Sequence, residues 1–516
     1  EKFTDVDRGI AWMLLGSVGF VMVLFYLVHW QDDDIRRYAW SVISTTISIF
    51  TAVLTFQGIH EVFDAYAFPE GASREMVFVA DYVILLLLCI GMHLTVAGCS
   101  GLLVHEPGDA ASLEESVWVI ADATRADWGE EVQDSEVRNR TGEKSVAYRD
   151  SREIFVQHVK HKLDARIRRM RCWATLFAHM AGFAAIFAGT ELMNLHCFRS
   201  LPMRMFAVLL NTLFLVVLFR AMSRARARIL HSTSGNDERF NMYEEQLVEC
   251  EADIQSLQAS FLMVSVVRFA ITGILPNKEG LLEPSTMVQS MHQILSLFGA
   301  GVFFAFFATV LILMPLKTEK EGVGSQIFNV ITNTLSNAFS WCLLFGARGL
   351  SHRLTQLEVI HAGPRSMEGK IMLALCLSTI AFVVIFTLDK IEDNSATNMT
   401  LQKVTQNVIN SISILVGFSW EQCFETGVEA VAGETDNPMV VKVMMTFIVI
   451  NFIIPAWRRY ILRKVLDLQR LKREKNKAGL NESAGVPFMP LTQEGPSSAA
   501  QSETRICKIG GFPDAA

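Results

Sequence analysis

Runs of about 20 apolar residues, separated by short polar segments, recur along the whole chain. Eleven stand out, at roughly 10–30, 40–59, 76–104, 172–194, 202–222, 254–276, 290–315, 325–347, 369–388, 404–424 and 439–461. A helix of that length matches the thickness of a bilayer core, and only helices and closed barrels satisfy their own backbone groups in lipid. The pattern predicts an all-α, polytopic integral membrane helical bundle of about eleven transmembrane helices. That count holds for the sequence as it stands, which begins at Glu1.

The polar segments divide the chain. Residues 1–104 hold spans one to three, 105–171 a cytoplasmic segment, 172–222 spans four and five, 223–253 a linker, 254–461 spans six to eleven, and 462–516 a tail. "SREIFVQHVKHKLDARIRRMR" (151–171) reads as a charged helix running unbroken into span four, and "GNDERFNMYEEQLVECEAD" (235–253) as a capped helix feeding span six. The tail opens as a basic helix, "RRYILRKVLDLQRLKREKNK", suited to anionic lipid, and ends Ser-, Pro- and Gly-rich like a disordered segment.

Basic residues orient the spans. Lys160, Lys162, Arg166, Arg168, Arg169 and Arg171 precede span four, Arg220, Arg224, Arg226 and Arg228 follow span five, and Arg458, Arg459, Arg463 and Lys464 follow span eleven. All three sets agree in parity when placed in the cytoplasm, with the N-terminus outside. The acidic loop 425–438 fits the outside, whereas the loop 348–368, with Arg348, Arg353 and Arg365, fits it poorly. Asn398 in "NMT" matches a glycosylation acceptor but falls in a loop assigned inside. Trp30, Trp40, Trp173 and Trp457 fall near cytoplasmic span ends, at the headgroup level that aromatic rings favour.

"VISTTISIFTAVLTFQGI" (42–59) in span two and "VITNTLSNAFSWCLLFGA" (330–347) in span eight align without a gap at an offset of 288. "VINSISILVGFSW" in span ten matches the former with one residue deleted. All three lie on even-numbered spans, so the copies run through the membrane in one direction, as in parallel transporter repeats.

Each copy carries a polar stripe. Ser41, Ser44, Ser48, Thr51 and Thr55 share one face of span two, Asn333, Ser336, Asn337 and Ser340 one face of span eight, and Asn407, Asn410, Ser411, Gly417, Glu421 and Glu425 one face of span ten. Small and hydroxylated residues also serve plain helix packing. Intramembrane carboxylates are costly and face cavities, pair, or act. Ser44, Ser48, Thr51, Asn333, Ser336, Ser340, Asn410 and Glu421 are therefore expected to line a path for a small cation or proton, beneath an acidic outer layer of Glu61, Asp64, Asp81, Glu191 and Glu425. Glu61, Asp64 and Glu425 also fit a solvated headgroup position. Arg268, deep in span six, needs a partner, and Glu421 and Asp81 are the candidates for that internal ion pair. His93 and His179 are either proton relays or packing residues. The spacing of the arginines at 220–228 suits juxtamembrane anchoring rather than voltage sensing.

The composition agrees with a membrane protein: 51% hydrophobic residues, 35 Phe and a mean hydropathy of +0.31. A net charge of -7 argues against nucleic acid as a partner. Nine scattered Cys, without C-x-x-C or a His/Cys cluster, read as small buried hydrophobes. No zinc-protease, phosphate-loop or nucleophile-elbow signature occurs, so neither an enzyme nor a cofactor is expected.

"LVGFSWEQCFETGVEAVAG", with "TTISIFTAVLTFQGI", resembles recurrent segments of uncharacterised polytopic membrane proteins from single-celled algae and their relatives. The resemblance implies no activity. Three functions are ranked from these residues: cation or proton transport, a non-transporting scaffold or sensor recruiting partners through the cytoplasmic helices, and last a lipid-directed enzyme.

Overall fold

The computed structural model describes residues 5–67, 73–102, 142–231, 237–282, 289–314, 323–356, 367–394 and 399–483. No strand occurs among them. The helices are α1 (Asp5–Val28), α2 (Asp33–Ala67), α3 (Arg74–Ser100), α4 (Gly142–Asn194), α5 (Leu201–His231), α6 (Asp237–Thr272), α7 (Met291–Leu313), α8 (Val323–Gln356), α9 (Met367–Asn394), α10 (Met399–Gly433), α11 (Pro438–Ile448) and α12 (Leu462–Ser483). The chain divides into two compact units, Glu1–Val465 and Leu466–Ala516, and α1 to α11 lie in the first.

Each expected span coincides with a helix. By length and apolarity, α2 to α7, α9 and the rod beginning at Pro438 suffice to cross a membrane, eight among the described residues. The apolar part of α1 is shorter (Leu14–Val28), and the polar stripes of α8 and α10 hold them below the same apolarity. Exposed faces are apolar: Leu15, Leu209, Phe447 and Phe452 are each about 70% exposed or slightly less, as expected of surfaces that meet lipid. The chain is an all-α helical bundle whose composition is that of a multi-pass membrane protein.

Local chemistry sets several ends. Ser290 and Gln293 form a reciprocal cap on α7, with Gln293 N–H donating to Ser290 Oγ and Ser290 N–H to Gln293 Oε1. Gly101, at φ +85°, closes α3 in the left-handed conformation. The charged stretch at 151–171 continues into the span as part of the 53-residue α4, and residues 237–253 form the start of α6. Past Ile448 the rod passes through two π turns, Val449–Ile453 and Trp457–Ile461. They flank Pro455, which lacks the N–H that an unbroken α-helix requires.

The even-numbered helices form an inner ring. α2 packs on α4, α4 on α6, α6 on α8, α8 on α10, and α10 back on α2. Contacts rise together along each pair, so the neighbours run parallel: Gly182 and Gly189 of α4 meet Leu257 and Leu262 of α6, and Ser336, Ser340 and Arg348 of α8 meet Asn407, Ser411 and Gln422 of α10. The odd-numbered helices pack outside: α3 and α5 on α4 and α6, α7 on α8 and α10, α9 and α11 on α10 and α2, and α1 on α9 and α2.

Close approach within the ring needs small residues. A methyl group on Gly189 would overlap Leu262 and Asn211, whereas one on Gly19 in α1 would meet nothing within 4 Å. Gly189→Ala should therefore lower the unfolding free energy by about 1–3 kcal/mol, while Gly19→Ala leaves it unchanged or slightly raised. Denaturation of the purified variants in detergent, followed by tryptophan fluorescence, measures both.

Candidate functional site

Aromatic side chains fill the interior of the ring. Phe183 of α4 contacts Phe418 of α10, a helix that is not its ring neighbour, with centroids 5.6 Å apart. Phe418 lies 4.2 Å from Trp341 of α8, and Trp341 lies 5.1 Å from Phe261 of α6. Phe345 stacks on Trp341 at 5.7 Å. Nearer the C-terminal ends, Phe56 and His60 of α2 contact Phe187 of α4. Such pairs are worth about 0.5–1.5 kcal/mol each beyond their buried area, and they form an aromatic layer across the interior of the ring.

Ionisable groups gather beyond the aromatic layer. Glu421 is 7% exposed, and its carboxylate lies within electrostatic reach of Glu425, Lys370 of α9, Arg348 of α8 and Glu279. Arg348 donates to Gln422 Oε1 and faces both Glu425 and Glu421. Gln57 of α2 donates to Glu425 Oε1 at 2.6 Å, and Lys370 donates to Thr426 Oγ1. Glu421 thus faces two cations and two further acids, while its neighbour Trp420 points the other way, donating to Ser378 Oγ at 3.0 Å and packing on Phe20.

Several expectations are corrected. Arg268 has neither Glu421 nor Asp81 as its partner: its Nη1 donates to the carbonyl of Gly280 at 2.8 Å, and its guanidinium sits 4.0 Å over Phe345. Asp81 bonds His60 at 3.0 Å, and Glu61 pairs with Lys442. Glu425 is engaged by Gln57 rather than solvated, because α10 continues to Gly433 where a loop was expected. The acids of this layer are therefore engaged by side chains of neighbouring helices; Glu191 is half-buried and engaged, and the Asp64 side chain lies outside the described residues. Arg348 and Arg353 belong to α8, which removes Arg348 from the ill-fitting loop; Arg365 and Asn398 lie outside the described residues. Arg226 is buried between Glu251, at 2.5 Å, and Glu244, at 3.1 Å, so it ties α5 to α6 rather than anchoring to headgroups. His93 lies 3.8 Å from Glu251 in the same cluster.

The polar stripes do not open onto one cavity. Trp457, 1% exposed rather than at a headgroup level, donates to Ser44 Oγ at 2.9 Å, placing the hydroxyl face of α2 against the rod of α11. Ser48 bonds its own helix at Thr45 O, and Thr51 is buried. Ser340 donates to Ser411 O at 2.6 Å and Asn407 to Ser336 Oγ, so these groups join α8 to α10 directly. The cleft beside Ser336, Asn407 and Ser411, on the side of α7, measures about 10 Å³, room for at most one water. Asn333 is half-buried, and Asn410 is exposed, accepting from Gln406 at 3.2 Å. Helix packing accounts for most of these residues.

Arg348, Lys370, Gln57, Gln422 and the aromatic layer were missed from the sequence. Arg348 continues the stripe of Ser336 and Ser340 at helical spacing, a signal hidden by ending span eight at 347. A second acidic group, Asp32, Asp34 and Asp389, brings carboxylate oxygens within 4.8 Å of one another. Its charge is shared with Arg37, 3.0 Å from Asp34. No family model matches the chain, and no curated protein or solved structure is significantly similar to it.

Removing Arg348 alone strands buried carboxylates. Arg348→Leu should destabilise the protein by about 3–5 kcal/mol, and Glu421→Gln added to it should recover part of that loss. Chemical denaturation of both single variants and the double variant yields the coupling; additive effects would show that the two groups do not interact.

Proposed function

We propose that the chain passes a small cation or proton across a membrane through the interior of the inner ring, with Glu421 as the essential ionisable group. One observation carries this reading: Glu421, Glu425, Arg348 and Arg268 converge from three parallel helices immediately beyond the aromatic layer. Ionisable groups at membrane depth are expensive and mark ion or proton pathways more often than they stabilise folds. Hydrophobic constrictions are a common form of gate. The path differs from the one expected of the sequence, running inside the ring instead of along the stripes of α2, α8 and α10.

The competing reading is a non-transporting scaffold or sensor whose cytoplasmic helices recruit partners. It draws on the use of the polar stripes in helix packing. Lipid is the surrounding medium under either.

Purified protein in liposomes, under imposed H⁺, Na⁺, K⁺ and Ca²⁺ gradients, separates the two. Under the transport reading one of these ions moves, Glu421→Gln lowers the flux about tenfold or more, and Phe418→Ala, which thins the aromatic layer, raises it. Zero flux from well-folded parent and Phe418→Ala proteins under every gradient would favour the scaffold.

A further inference from the structure

The connection leaving α6 turns into the ring instead of passing over it. Residues 277–281 form a tight turn: Gly280 N–H donates to Asn277 O at 2.9 Å, Asn277 N–H to Leu281 O at 2.9 Å, and Leu281 N–H to Asn277 Oδ1 at 2.6 Å. At its tip Gly280 has φ +74° and is buried. A Cβ there would lie 2.6 Å from Cζ of Phe345 and 3.4 Å from Cε2 of Phe261, so only glycine fits both the backbone conformation and the space.

The tip touches three of the five ring helices and lies within electrostatic reach of a fourth. Gly280 rests on Phe261 of α6 and Phe345 of α8, the ammonium of Lys278 lies 5.2 Å over Phe187 of α4, and Glu279 is within electrostatic reach of Glu421 and Glu425 of α10. Connections ordinarily run over the surface, where water satisfies their backbone. A buried carbonyl needs an internal donor, and Arg268, 4% exposed, donates to Gly280 O at 2.8 Å. That explains why an arginine deep in α6 has no carboxylate partner: its role is to hold the turn.

We propose that the tip at 277–281 is a plug that closes the C-terminal mouth of the ring, clamped by Arg268, and that it withdraws to admit solvent and ions to the aromatic layer. The plug deepens the transport reading and rests on it for what the opening serves. Withdrawal exchanges one arginine hydrogen bond and a set of ring contacts for water, and carries Glu279 away from Glu421 and Glu425. The turn is a local unit, so it can open without unfolding the ring.

The test is access to a cysteine beneath the tip. Phe418→Cys protein in liposomes is exposed, on the side bearing the C-terminal mouth, to a membrane-impermeant thiol reagent, and the rate for protein without the added cysteine is subtracted. Arg268→Gln removes the clamp. Asn277→Ala loosens the turn from an exposed position, where folding is not at stake. Labelling should be about tenfold faster in both backgrounds. Rates unchanged in Asn277→Ala and in folded Arg268→Gln protein would overturn the plug. Ion flux in the same vesicles separates the two proposals, because faster labelling without flux in any variant leaves the plug standing and removes the transport reading.

Discussion

Five helices running side by side in one direction place the same end of five helix dipoles together. Each C-terminus carries the equivalent of roughly half a negative charge, which disfavours carboxylates and favours cations within the last turn of each helix. Glu421 and Glu425 stand roughly two to three turns back from the end of α10 at Gly433, Glu279 joins them from the turn after α6, and Arg348, Arg268, Lys278 and Lys370 accompany them. The cations answer the acids, and their reach ties α4, α6, α8, α9 and α10 to one another. The inward turn at Gly280 adds a buried carbonyl to this layer, which Arg268 satisfies.

Below that layer the ring is held by shape. Gly182, Gly189 and Gly417 let backbones approach, and Phe183, Phe261, Trp341 and Phe418 fill the space that five parallel helices leave between them. Lipid is as apolar as a leucine core, so apolar contact alone gives helices little reason to choose each other over lipid. Interhelical hydrogen bonds supply part of the specificity. Ser340 to Ser411, Asn407 to Ser336, Trp457 to Ser44 and Thr446 to the Leu54 carbonyl each fix a register between two helices. These are the stripe residues that a sequence reading assigns to a pathway.

The outer helices follow from the inner ones. Successive spans alternate in direction, so once the even-numbered helices close a ring, the odd-numbered helices are left outside; α3, α5, α7, α9 and α11 each cover a seam between two of them, and α1 lies on α9 and α2. Three of the five ring helices, α2, α8 and α10, carry the recurring hydroxyl and amide motif. They are consecutive around the ring with α10 in the middle, consistent with a shared origin and with the common direction expected of the repeat.

How much could be read without coordinates depends on the range of each interaction. The all-helical architecture, the continuation of 151–171 into α4 and of 237–253 into α6, and the parallel run of the repeated spans were all legible, because apolar run length, capping and alternation are local properties of the chain. Helix ends were less so: the acids of Glu425 and the loop after it, and Arg348, were assigned to connections because polar residues inside a span look the same in sequence as polar residues beyond its end. Partner choice was not legible at all. Whether Arg268 meets a carboxylate or a carbonyl, and whether Ser44 faces a cavity or Trp457, is set by which helix lies alongside and at what rotation. Those depend on contacts between residues hundreds of positions apart, which only the tertiary structure decides.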